Sequence, residues 1–259
     1  ITDQEGFTPH MGRLVSMMNY ARRTTLDMVR GLTVEELDFL VSSDSNSIGM
    51  LLEHFAAVEV WYQVFTVEGR EANESEMERW KAGLELGKLG REKIRGHDIN
   101  YYLKTLQQVR DKTFAEFRKH DDDWLHQEFP LWGQTGNNYF CWFHVFEDEI
   151  NHRGQIRLIA KHLPSFKNRG VSGVKIAPAK EDGIGFKFAE VIPNGAAAKA
   201  GIQAGDVVVE LNGVDIRETP LEDIDARGHA GETVCLKVKR EGVAEPLYFE
   251  IVRQPAQGS

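Results

Sequence analysis

Very little in this chain is sulfur. Among 259 residues there are two cysteines, Cys141 and Cys235, too few for a disulfide framework. One falls in a helical stretch and the other in a strand-like one, so both are expected to be free, buried thiols. No apolar run approaches the ~20 residues of a membrane span. A basic excess is missing too. There are 31 Lys and Arg against 40 Asp and Glu, a net charge of -9, which argues against nucleic-acid binding because that needs a basic face. There is no internal repeat, no low-complexity segment and no signal-peptide pattern. The sequence opens on Ile1 rather than Met. It is read as cytoplasmic, with a periplasmic location as the alternative should a leader precede Ile1.

What is present is a globular composition, 41% hydrophobic and 27% charged, long enough for two ordinary domains. Two periodicities divide it. Residues 8–163 carry helical spacing. A first helix runs from Pro9 toward Gly31, a fitting stop. Thr33-Val34-Glu35-Glu36 is a capping box. Ser47 caps a second long helix from Ile48 to about Val67, with His54 inside its apolar stripe. Residues 69–96 read as a long crossover with some helix, interrupted by Gly83, Gly87 and Gly90. Asp98 caps a third long helix to about Lys119, and Asp121-Asp122-Asp123 reads as a solvated corner. Residues 124–136 suggest an extended arm or short hairpin, and a fourth long helix runs from Asn138 to His162, before Pro164. Four long helices and one crossover fit a four-helix bundle. From Arg169 onward the apolar residues fall at period two, with Gly and Asn-Gly turns between them. The expected architecture is α plus mainly β: a helical domain over 1–165 and a small β domain over 166–259.

The stretch from Phe143 to Ile156 holds the most chemistry. Asp148 and His152 lie four residues apart, hence on one helix face. With His54 from the second helix they compose two imidazoles and one carboxylate, a donor set compatible with zinc, nickel, iron or manganese. An unpaired buried Asp is costly, and a metal ion removes that cost. The alternative is that Asp148 and His152 simply bond each other or a neighbouring helix. His144, one turn before Asp148, either supports Asp148 from behind or sits at a rim. Glu59 and Glu149 are read as polar contacts, with Glu149 able to orient a ligand. Gly154 in mid-helix costs ~1 kcal/mol relative to Ala, which close approach of a neighbouring helix would explain. Trp61, Trp132, Phe140, Trp142, Phe143 and Phe146 are mostly core, some able to line a pocket beside the metal.

Three segments together carry a resemblance. They are Gly31-Leu32-Thr33-Val34-Glu35-Glu36-Leu37, the run from Asn46 to Glu59, and His152-Arg153-Gly154-Gln155-Ile156. In this order they resemble the DinB/YfiT-like superfamily over nearly all of residues 8–163. The resemblance implies a four-helix bundle with a metal held by His54, position 148 and His152. Relatives carry His where this chain has Asp148, a harder ligand that favours manganese or iron and leaves zinc or nickel open. It also implies a divalent-metal enzyme, a thiol S-transferase or hydrolase, that uses a low-molecular-weight thiol and a small-molecule substrate, in a chain able to pair as a homodimer. The competing expectation is a non-enzymatic metal-binding scaffold, or an envelope stress protein that binds C-terminal peptides.

The β half resembles a PDZ domain. The carrying motif runs from Val191-Ile192-Pro193-Asn194-Gly195 through the Ala-rich turn to Gly205-Asp206 and Asn212-Gly213. The resemblance implies a partner protein's C-terminal peptide as ligand. Gly183-Ile184-Gly185-Phe186 looks like a carboxylate-binding loop but runs directly into the strand ending at Ile192. Val171-Ser172-Gly173-Val174 fits better, with Lys175 and Ile176 continuing the strand to which a peptide adds. Arg169 would add charge, and Leu221 and Ile224 would begin the short helix forming the other wall. No His stands at the start of that wall, so selection for Ser or Thr near a peptide end is not expected.

Overall fold

Capping side chains set most of the helix boundaries in the first half of the chain. The computed structural model describes residues 4–167, 170–221, 224, 226 and 228–255. The chain divides into two compact units, Ile1–Leu163 and Pro164–Ser259.

In the first unit, α1 (Pro9–Val29) begins with Pro in its first turn, where a missing N–H costs nothing. The Thr33/Glu36 capping box opens α2 (Val34–Leu37). Ser47 accepts from Met50 N–H to open α3 (Ile48–Tyr62), which widens into a π-turn over Gln63–Val67. The crossover folds into three short helices, α4 (Glu74–Met77), α5 (Lys81–Glu85) and α6 (Gly87–Lys93). Asp98 accepts from Tyr101 N–H and opens α7 (Ile99–Phe117).

The Asp run is exposed at Asp121 and Asp123, as expected of a solvated corner, but it also caps two helices. Asp121 caps α8 (Asp122–His126), while Asp122 accepts from the Thr8 hydroxyl and from His10 and Met11 N–H, which caps α1. Strands β1 (Glu128–Leu131) and β2 (Gln134–Asn137) make an antiparallel hairpin. Trp132 and Gly133 form its turn, both at positive φ, 49° and 78°. Asn137 then caps α9 (Asn138–Ala160).

Trp142 on α9 is fully buried, edge-on to Phe117 of α7 at 4.7 Å, in a core shared with Met11, Leu14 and Met18 of α1. A buried charge cluster ties all four long helices. Arg110 Nε and the Thr113 hydroxyl of α7 each donate to Glu59 Oε1 of α3 at 2.7 Å. Arg22 of α1 donates to Glu59 Oε2 at 3.2 Å and to both oxygens of Glu149 on α9 at 3.1 Å. Two cations against two anions leave no net buried charge, the condition under which such a cluster is tolerated.

The second unit opens with α10 (Pro164–Lys167) and β3 (Gly170–Val171). Strands β4 (Val174–Pro178), β5 (Phe186–Val191), β6 (Val207–Leu211), β8 (Thr233–Lys239) and β9 (Leu247–Val252) form one antiparallel sheet in that order. The short β7 (Val214–Asp215) pairs with β6, and β10 (Gln254–Pro255) pairs with β3. Helix α11 (Ala196–Ala200) ends at Gly201 in the left-handed region. Phe186, Phe188, Val234, Leu236, Val238 and Ile251 point inward at period two and build the core with Ala197 and Ile202. Cys235 faces outward on β8 and is exposed, contrary to the expected burial, while Cys141 is buried. Among the described residues, no helix is long and apolar enough to cross a membrane.

Candidate functional site

His54, Asp148 and His152 converge. One ligand atom from each lies within 4.8 Å of the other two, and the two imidazole rings meet edge-on with centroids 4.9 Å apart. Asp148 and His152 share a face of α9 by their spacing of four, with Asp148 Oδ1 3.5 Å from His152 Nε2. Residue His54 comes from α3, and its Nε2 lies 3.3 Å from Asp148 Oδ2.

The other nitrogen of His54 fixes its tautomer. Nδ1 lies 2.8 Å from the carbonyl oxygen of Gly83 on α5. A carbonyl only accepts, so Nδ1 carries the proton, and a neutral ring turns a lone pair toward Asp148 from Nε2. This orientation by a backbone carbonyl is common for a metal-ligating histidine. Glycine at position 83 is what permits it: a Cβ there would stand 3.0 Å from Ala57 Cβ and 3.1 Å from the Glu53 carbonyl oxygen. Gly83 reads in the sequence only as an interruption, because its partner lies on another element.

Asp148 Oδ2 is buried and, among the described residues, has no hydrogen-bond partner. Burial pushes the Asp148 carboxyl up, while His152, whose Nε2 faces Oδ1, is the foremost group holding it below the usual carboxylate range. Asp148 in turn raises His152 above its ordinary value, against a smaller opposing effect of burial. An ionised, half-buried carboxylate with an orphaned oxygen, facing a lone pair, is a site that a cation completes. The residues therefore fit a divalent metal ion.

Other expected participants stand elsewhere. His144 does not serve Asp148; its Nδ1 pairs with Glu147 Oε2 at 3.1 Å, one helical turn away. Glu59 and Glu149 belong to the buried charge cluster rather than to the ligand set. Arg153 donates to the Thr24 hydroxyl of α1. Among the described residues no neighbouring helix approaches Gly154, where a Cβ would meet nothing within 4 Å; nothing in the structure explains this glycine. The Cys141 thiol is pushed up to about 12 by burial, so it is no nucleophile at neutral pH.

In the second unit, β4 pairs with β5 on one side, and among the described residues no strand pairs with its other edge. Val171 and Ile176 are exposed. Gly173 takes φ +75°, and a Cβ there would stand 3.1 Å from Gly195 Cα, so the turn before β4 packs tightly on the start of α11. The Ser172 and Gly173 carbonyls accept from Ala197 and Ile192 N–H. Lys175 pairs with Glu190 of β5 at 2.6 Å. The rival Gly183–Gly185 loop is already tied to another segment: Gly185 N–H donates to the Thr219 carbonyl, and the Gly183 carbonyl accepts from Leu221 N–H. Leu221 and Ile224 pack against the β core. Arg169 and residues 222, 223, 225 and 227 lie outside the described residues, so the expected second wall is not described as a helix.

Among known proteins, residues 13–163 match the family model of mycothiol-S-transferase, and residues 187–240 match that of the PDZ domain. A probable periplasmic serine endoprotease, DegP-like, from Bartonella henselae is 38% identical over 96 residues, which is 34% of this chain and 19% of the protease. The chain spans about a fifth of that relative's length. The HtrA3 PDZ domain, solved with a phage-derived ligand, is 21% identical with a TM-score of 0.25, covering 33% of this chain and 85% of that one. A conserved protein from Enterococcus faecalis is 12% identical with a TM-score of 0.45, covering 57% of this chain and 92% of that one.

Proposed function

The chain belongs to the mycothiol-S-transferase family through residues 13–163, and from that premise we propose that its helical unit is a metal-dependent transferase of a low-molecular-weight thiol. The observation that carries the reading is the trio His54, Asp148 and His152, with Nε2 of His54 turned inward by the Gly83 carbonyl and Asp148 Oδ2 left without a hydrogen bond. A divalent ion held by these three would supply Lewis acidity, lowering the pKa of a thiol at the site.

The chain's own residues do the rest. Gly83 keeps His54 in one tautomer. Asp148 supplies negative charge that stays ionised at neutral pH. Buried Cys141 keeps its proton, so the nucleophilic sulfur arrives with the small-molecule thiol. In the transfer a carbon–sulfur bond forms while the bond from that carbon to its leaving group breaks, and the thiol proton departs to solvent.

The β unit is a PDZ domain by its family match. We propose that it binds the C-terminal peptide of a partner, the carboxylate at Val171–Val174 and the strand alongside Lys175 and Ile176. The free edge of β4 supports this reading, since an extended peptide adds to an unpaired edge by main-chain bonds.

The test loads the full-length chain separately with zinc, nickel, iron(II) or manganese and supplies mycothiol with the generic electrophile monobromobimane. The expected result is thioether formation that depends on metal and is lost in His54→Ala and Asp148→Ala. Equal rates with and without metal, or in both variants, would overturn the proposal.

A further inference from the structure

Not all the aromatic residues around α9 enter the core. Trp132 is 60% exposed and Phe140 39%. Trp132 also sits at φ 49°, a left-handed conformation that strains a bulky side chain. Asn or Gly would hold this hairpin turn with less strain. Strain of this kind gathers where a side chain is being presented for use.

The presented ring is held in a definite arrangement. It meets His144 edge-on at 5.3 Å and Phe140 edge-on at 6.0 Å. The Phe140 and His144 rings are themselves nearly parallel, at an interplanar angle of 7°. Three rings thus form a corner open to solvent. The corner leads to the ligand trio, because Phe140, His144, Asp148 and His152 recur every four residues along α9. His144 is one turn, about 6 Å of helix rise, from Asp148. Tyr62 of α3 meets the His144 ring edge-on, with centroids 6.1 Å apart. Glu147, the carboxylate nearest the corner, is already engaged by His144 and Asn151. The corner therefore offers ring surface rather than free charge.

We propose that Trp132, Phe140 and His144 seat the flat, aromatic part of the electrophilic substrate and direct its reacting carbon toward His54, Asp148 and His152. This rests on the transferase reading. Aromatic rings take one another offset or edge-on, which is the surface this corner presents, and the adjacent metal-ligand trio is where sulfur would attack.

The test is equilibrium dialysis of the full chain against dinitroaniline, a neutral aromatic followed by its own absorbance, with metal present and after chelation. Wild-type chain should bind it saturably in both states. Trp132→Asn, a residue suited to the turn, and Phe140→Ala should bind about fivefold more weakly. Trp80→Phe, on the crossover, should bind as wild type. Metal content should be unchanged in all three, and Trp132→Asn should melt no lower than wild type. Absence of saturable binding, or undiminished binding in Trp132→Asn and Phe140→Ala, would overturn the seat. Intact dinitroaniline binding by a chain that takes up no metal would overturn the transferase reading and leave the seat standing.

Discussion

Asp148 and Glu149 are neighbours on α9, yet their carboxylates serve different faces of it. Asp148 faces His54 and His152, whereas Glu149 accepts from Arg22 Nε through both oxygens at 3.1 Å. One residue's rotation, about 100° in an α-helix, separates a candidate ligand from an anchor. The anchor belongs to the cluster joining all four long helices, so the trio is positioned by the same charges that hold the bundle together.

The first prediction concerns that cluster. Burial raises the Glu59 carboxyl, but Arg110 and Arg22 outweigh it and leave its pKa lowered in the fold. A depressed folded pKa means that Glu59 contributes stability above its ordinary value of 4.5, and that this contribution is lost as pH falls below it toward the folded pKa. Glu59→Gln should destabilise the bundle by about 3–5 kcal/mol at pH 7 and flatten its acid limb. Denaturant unfolding followed by tryptophan fluorescence reads this directly, since Trp61, Trp80, Trp124, Trp132 and Trp142 all lie in the first unit. An unchanged slope below pH 4.5 in the variant would contradict the assignment.

Gly83→Ala tests the carbonyl that orients His54. The added Cβ meets Ala57 at 3.0 Å, so α5 must move away from α3 and the 2.8 Å bond must lengthen. Metal affinity, measured by competition with a chromophoric chelator, should fall about 10–100-fold. Wild-type affinity in this variant would show that the carbonyl is incidental.

Thiol labelling separates the two cysteines. Cys235 is exposed and Cys141 is buried, with its thiol pushed up to about 12. A disulfide reagent should modify one thiol in the native chain and the second only on unfolding. Two equally fast thiols would contradict the described packing of α9.

In the PDZ unit, Gly173→Ala places a Cβ 3.1 Å from Gly195 Cα at a φ of +75°. It should distort the turn before β4 and weaken capture of a peptide selected from a C-terminal display library. Amidating that peptide's C-terminus should weaken it about tenfold or more by removing a charged acceptor. Equal binding of acid and amide would move the ligand away from Val171–Val174.

Local signals made much of this molecule legible. Ser47 and Asp98 start helices because each side chain reaches an N–H three residues on, within one turn. Asp148 and His152 declare a shared face by spacing alone. The period-two apolar residues from Phe186 to Ile251 announce the sheet. What stayed hidden depends on contacts between distant segments. Gly83 meets His54 across 29 residues. Arg22, Glu59 and Arg110 each look like a lone charge on its own helix until the bundle closes. Asp122 resembles part of a solvated run, yet caps a helix that begins more than a hundred residues earlier. His144 shows the converse: its spacing from Asp148 suits a contact, but Glu147 lies nearer on the same turn and takes it.

The most direct test of the central claim is metal content. Full-length protein, freed of any tag and equilibrated with each candidate metal, would be analysed beside His54→Ala, Asp148→Ala and Phe143→Ala. One equivalent of a transition metal per chain, lost in the first two variants and kept in the third, is the predicted result. No retained metal in the wild type, or equal retention in His54→Ala and Asp148→Ala, would contradict it.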